Sequence, residues 1–171
     1  MKEKISIYVK LALIVLVLFL ISAAAFTEEE AARTGGFFVS PLAETLIYGE
    51  HGLAFGAGFA IGAGDDGAIG IRFLYAIDGE DFIFMELLFF LRMYLFGFSN
   101  SARNTGPFLQ LNGGPVLFAA GNPELTGFGT ISAGLTAGWR FPFGNNWFIE
   151  PAIRAGYPYI AGGGLSAGYR R

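Results

Sequence analysis

Cysteine is absent from the 171 residues, and histidine occurs once, at His51. The first absence excludes disulfide staples, a lipid-attachment thiol and cysteine-based zinc sites, so stability has to come from burial and backbone pairing. The second leaves metal ligation without a donor set. No cofactor is implied either: Gly62-x-Gly64-x-x-Gly67 has the spacing of a dinucleotide-binding loop, but it joins two strands and opens no helix. Asp78, Glu80 and Asp81 read as a polar hairpin loop, at most a weak cation site. Lysine is confined to Lys2, Lys4 and Lys10. From residue 26 onward eight arginines face thirteen aspartates and glutamates, a formal net charge of −5 without basic runs, which argues against a nucleic-acid partner. No apolar run reaches the roughly 20 residues that a membrane-spanning helix needs.

What is present begins with a targeting pattern. Three lysines precede the apolar run Leu11–Ile21, and Ser22-Ala23-Ala24-Ala25 follows it. A positive start, a short apolar segment and small residues define a secretory signal peptide, expected over residues 1–25 with cleavage after Ala25. Residues 26–35, with Glu28-Glu29-Glu30, read as a short polar arm. Residues 36–171 then form one domain of short alternating segments punctuated by Gly, Asp, Asn and Pro, the pattern of an all-β sandwich or barrel.

Period-two alternation runs through these segments. Leu53, Phe55, Ala57, Phe59 and Ile61 share one face, against a nearly bare face of alanine and glycine. The segment Phe82–Phe96 has the composition of a buried helix, but its charges favour a strand. Glu86 and Arg92 are six residues apart, on one side of a strand yet some 120° apart on a helix. The opposite side, Ile83 to Leu95 at odd positions, is wholly apolar. Pro41 predicts a bulge or late start in the first strand, Gly113-Gly114-Pro115 a bulge or bend, and Pro151 a local bulge.

Seven charges, Arg72, Glu86, Arg92, Arg140, Glu150, Arg154 and Arg170, lie opposite the bulky apolar residues of their own strands. A water-facing exterior would carry mixed charges at many positions; here the polar faces are Gly, Ala, Ser and Thr with isolated arginines. Small residues suit the inside of a narrow barrel, and lipid suits the outside. Eight strands of about 9–11 membrane-crossing residues fit the length, and only a closed barrel pairs every strand backbone group away from water. Tyr48, Phe96, Phe128, Trp139, Phe141, Trp147, Tyr157, Tyr159 and Tyr169, near strand ends, suit the two interfacial girdles.

The last stretch, Trp147–Arg171, reads as a closing hairpin whose final strand alternates Leu165-x-Ala167-x-Tyr169. This resembles the C-terminal strands of small eight-stranded bacterial outer-membrane β-barrels of the OmpX, OmpW and OmpA-domain kind, whose terminal aromatic is read by the assembly machinery. Arg170 and Arg171 follow the aromatic here, where the family pattern stops on it. The resemblance implies an exported outer-membrane protein of a diderm bacterium, a monomer in contact with outer-membrane lipid. It also implies recognition of Leu165, Ala167 and Tyr169 by periplasmic chaperones and the barrel-assembly machinery.

Glu44 with Glu86 and Glu150, against Arg72, Arg92, Arg140, Arg154 and Arg170, forms the expected lumen charge network. It would serve either as a salt-bridged plug or as a charged constriction of a narrow passive channel for small solutes. No catalytic site is expected. The alternative in another class is a lipid-modifying enzyme built on His51, beside Glu50, with Ser40 and Glu44 on the preceding strand.

Overall fold

The computed structural model describes residues 36–48, 52–64, 67–78, 83–95, 105–119 and 128–171. The expected signal peptide and polar arm, and His51 with Glu50, lie outside the described residues. Eight strands follow one another in chain order: β1 (Phe37–Tyr48), β2 (Gly52–Ala63), β3 (Gly67–Asp78), β4 (Ile83–Tyr94), β5 (Gly106–Ala119), β6 (Phe128–Phe143), β7 (Trp147–Tyr157) and β8 (Ala161–Arg170). Each pairs antiparallel with its sequence neighbours, and β1 pairs with β8, so the sheet closes into a barrel. Residues 83–94 are a strand, and the possible helix is thereby excluded.

The register fixes the barrel's shape. Following paired residues around the ring leads from Phe37 through Ala63, Ile69, Leu91, Leu111, Leu135, Ala155 and Ala161 to Ile47, ten residues further along β1. Eight strands with a stagger of ten, at the usual strand spacing and rise, tilt by about 40° and give a backbone radius of about 8 Å. Such a cylinder has room for side chains but little else.

In all eight ladders paired residues share parity, so the inner face carries only even numbers and the outer face only odd ones. The outer face is greasy throughout: Phe89, Leu111 and Ile131 are 64%, 59% and 74% exposed, in a belt that also includes Phe55, Ile69, Leu91, Ile153 and Leu165. A soluble barrel would reverse this polarity.

The prolines are accommodated without shifting register, contrary to the expected bulges. Pro41 pairs with Phe59 on β2, while on its other side the β1–β8 ladder omits two pairs and resumes in the same register. Pro115 and Pro151 repeat the arrangement, each paired on one side, to Ile131 and Leu165, and facing a two-pair gap in the β4–β5 or β6–β7 ladder. A missing N–H affects only the ladder toward which that residue's backbone points, so the other ladder remains intact. The segment at Gly113-Gly114-Pro115 likewise runs through in unshifted register.

Candidate functional site

Inner faces of different strands differ in bulk, and this positions the interior side chains. Toward the axis β2 presents Ala54, Gly56, Gly58, Ala60 and Gly62, and β8 presents Gly162, Gly164, Ser166 and Gly168. Between these bare strands β1 projects Phe38, Ser40, Leu42, Glu44, Leu46 and Tyr48, all buried. Across the ring from β8, β4 projects Phe84, Glu86, Leu88, Phe90 and Arg92, also buried. Large faces thus fill the space that small faces leave. A Cβ at Gly62 would stand 2.7 Å from the Phe38 ring, and one at Gly138 would stand 2.5 Å from the Phe108 ring.

Seven of the eight residues singled out for the lumen are buried inside: Glu44, Arg72, Glu86, Arg92, Arg140, Glu150 and Arg154. They gather in two clusters. Toward the end that carries the first and last strand termini, Glu150 on β7 accepts from Arg92 Nη1 at 2.6 Å and from its cross-strand neighbour Arg140 Nε at 2.5 Å. Ser166 Oγ donates to its second oxygen at 3.3 Å. Deeper along the axis, Arg72 reaches across the bare β2 to Glu44, and Arg154 reaches across β8 to the same carboxylate at 3.3 Å. Arg154 also pairs with Glu86 at 2.6 Å. The eighth residue, Arg170, is half-buried at the rim beside Gly36, away from both clusters.

Neutral polar groups extend the first cluster, and these were not singled out from the sequence. Arg92 Nε donates to Gln110 Oε1 at 2.8 Å, Gln110 Nε2 to Asn112 Oδ1 at 2.6 Å, and Asn112 Nδ2 to Thr136 Oγ1 at 2.8 Å. Their even numbering and strand register were the available signal.

Aromatic layers close both ends. At the terminal end Phe38 packs against Phe90 and Phe148, with ring centroids 6.3 and 5.9 Å apart, and Tyr94 packs against Phe108 at 6.0 Å. At the other end Tyr48 meets Phe84, Phe118 and Tyr159 at 4.5, 6.4 and 6.3 Å. Tyr48 and Tyr159 were expected in the outer girdle. They are 4% and 1% exposed and belong to the interior. Trp139, Phe141, Trp147, Tyr157 and Tyr169 do stand exposed on the outer face. The side chains of Phe96 and Phe128 lie outside the described residues.

The guanidinium planes use these rings. Arg140 Cζ lies 3.8 Å from the Phe148 centroid and 4.2 Å from that of Phe38; Arg92 lies 3.9 Å from Phe108 and Arg154 4.0 Å from Tyr159. Both Arg140 Nη atoms lack a hydrogen-bond acceptor, and the two ring faces provide electrostatic compensation instead. Tyr159, in the turn beyond β7, has its phenol pushed above the ordinary value by burial, against the opposing pull of Arg154.

A mid-barrel cavity of about 30 Å³ lies between the clusters, lined by Arg72, Arg92, Gln110, Thr136, Glu150 and Ser166 among others. That is room for a water or two. On β8, Leu165, Ala167 and Tyr169 all point outward and are exposed. The Tyr169 hydroxyl accepts from Asn146 Nδ2 at 2.7 Å, and its ring meets Trp147 edge-on at 5.3 Å. Among the described residues no group of three or more His, Asp or Glu could hold a metal.

A closed eight-stranded antiparallel barrel, apolar outside and charged inside, is the fold of the small outer-membrane β-barrels. The chain is similar to Neisserial surface protein A, with a TM-score of 0.62 at 14% identity over 80% of this chain and 96% of that one. It is also similar to the N-terminal β-barrel domain of Pseudomonas aeruginosa OprF, with a TM-score of 0.57 at 13% identity over 81% and 98% of the two chains. At these identities the likeness is one of fold. No protein-family model matches the chain, and no curated protein matches its sequence.

Proposed function

We propose that this chain is an integral outer-membrane protein of a diderm bacterium, exported through a signal peptide over residues 1–25. Its barrel serves as a sealed, non-enzymatic structural body in the lipid. The outer belt of exposed Leu, Ile and Phe side chains, with every charged inner residue on the opposite parity, supports the membrane placement. The packing of the interior carries the choice of a structural body over a passive channel: ion-paired charges are capped by rings at both ends, and the cavity between the clusters measures about 30 Å³. An anion channel would need a continuous wet path past the arginines.

Leu165, Ala167 and Tyr169, exposed on the closing strand, are the surface that periplasmic chaperones and the barrel-assembly machinery would read, and outer-membrane lipid is the main partner of the folded monomer. A lipid-modifying enzyme centred on His51 is the competing class. Replacement of His51 with no change in lipid chemistry would dispose of it. The sealed barrel is tested by two measurements on the purified protein. Folded and boiled samples should migrate differently on a gel, and reconstitution into a planar bilayer should give no steps of conductance. Discrete conductance that changes on Arg92→Glu would replace the structural reading with the channel.

A further inference from the structure

The charges buried inside the barrel do not balance. Among the described residues, four buried arginines, Arg72, Arg92, Arg140 and Arg154, face three buried carboxylates, Glu44, Glu86 and Glu150. Asp78 and Arg170, the other ionisable residues of inward parity, are half-buried at opposite rims. An arginine in a protein does not release its proton, so the excess positive charge persists at any working pH. Aromatic faces around Arg140 stabilise a cation without neutralising it. An uncompensated charge in a dry interior is costly, and among the described residues no further buried carboxylate offsets it.

The mid-barrel cavity is placed to receive it. Two of the four guanidiniums, Arg72 and Arg92, line it, with the Gln110 amide and the Thr136 and Ser166 hydroxyls. Arg72 Nε is buried without a hydrogen-bond acceptor, although the side chain is 94% buried or more by exposure and ion-paired through another nitrogen. The carboxylates on the same wall, Glu44 and Glu150, are engaged by Arg72, Arg154, Arg92 and Arg140; with Glu86, which shares Arg154, these groups leave one positive charge in excess. A volume of about 30 Å³ suits a single small ion. Non-polar walls from Leu42, Phe108 and Ala60 favour a weakly hydrated ion over a strongly hydrated one.

We propose that this cavity is a binding site for one small halide, chloride in the cell, held by Arg72 and Arg92 and by the Thr136 hydroxyl and the Gln110 amide between them. The site concerns only the sealed interior and does not depend on which membrane carries the barrel.

The test uses the full barrel refolded into detergent in sodium bromide or in sodium gluconate at equal ionic strength, since gluconate is too large for the cavity. Crystals grown in bromide should show one anomalous peak at the cavity centre. The temperature at which the folded gel band is lost should rise with bromide concentration and saturate, as ligand binding to the folded state requires. Ala60→Val fills the cavity while keeping every charge, and should abolish both the peak and the bromide dependence; Ala152→Val does the same from the opposite wall should the first variant fail to fold. Two outcomes overturn the proposal. One is water in the cavity with equal melting in the two salts. The other is a bromide effect that persists in the filled variant, which would mark a general salt effect.

Discussion

Glu150→Gln perturbs the interior most informatively, because it keeps the side chain's shape and removes only its charge. In the folded protein that carboxylate accepts from two buried guanidiniums, Arg92 at 2.6 Å and Arg140 at 2.5 Å, and from Ser166 at 3.3 Å. No second carboxylate is paired with either arginine among the described ion pairs. The amide retains one acceptor oxygen, but the cluster's charge rises from one to two in a region with little water. Breaking a buried pair by removing one partner costs about 3–5 kcal/mol. At about 1.4 kcal/mol per decade this is a two- to three-and-a-half-order increase in the unfolding constant. Urea titration of the barrel in lipid vesicles, read by the folded and unfolded gel bands, measures it. Adding Arg140→Met returns the cluster's charge to one and leaves an apolar side chain against Phe38 and Phe148, so the double variant should recover a large part of the loss. A loss below about 0.5 kcal/mol for Glu150→Gln, the range of ordinary surface changes, would refute the claim that these charges are dry and mutually dependent.

Glu86→Gln should cost less than Glu150→Gln in the same titration, since Arg154 keeps Glu44 as a second carboxylate at 3.3 Å. Gly62→Ala should destabilise by about 1–3 kcal/mol through overpacking, because the new Cβ meets the Phe38 and Phe90 rings, and Phe38→Leu should relieve part of it. Leu111→Arg, on the outer face and 59% exposed, should cost about 2–4 kcal/mol in a bilayer and much less in a micelle, which can wet the site.

The strands were legible because alternation survives wherever one face meets lipid. The alternation from Leu53 to Ile61 falls within strand 52–63, strand 83–94 falls within Phe82–Phe96, and the charges on β4 correctly separated strand from helix. Prolines misled because a sequence shows that a donor is missing but not which neighbour would have used it; Pro41, Pro115 and Pro151 each direct the loss into a single ladder. The aromatic layers were hidden for a related reason. Position near a strand end suggested an outer girdle for Tyr48 and Tyr159, whereas parity decides for Tyr48, and the turn geometry beyond β7 decides for Tyr159. Pairing partners were out of reach. Arg72 meets Glu44, and Arg154 meets both Glu44 and Glu86, only because the barrel's stagger brings them level and the glycines of β2 and β8 let the side chains cross.

The chain's lack of cysteine allows one direct measurement of its two environments. Single cysteines placed along β4, Ile83 to Tyr94, in the barrel reconstituted into a bilayer, carry spin labels whose collision rates with oxygen and with a water-soluble nickel chelate are compared. A lipid-embedded, sealed barrel predicts strong oxygen contact at positions 87, 89 and 91, and little contact with either reagent at 88 and 90. Nickel contact at the even positions would reveal a water-filled lumen, and loss of the period-two alternation would contradict the barrel in lipid altogether.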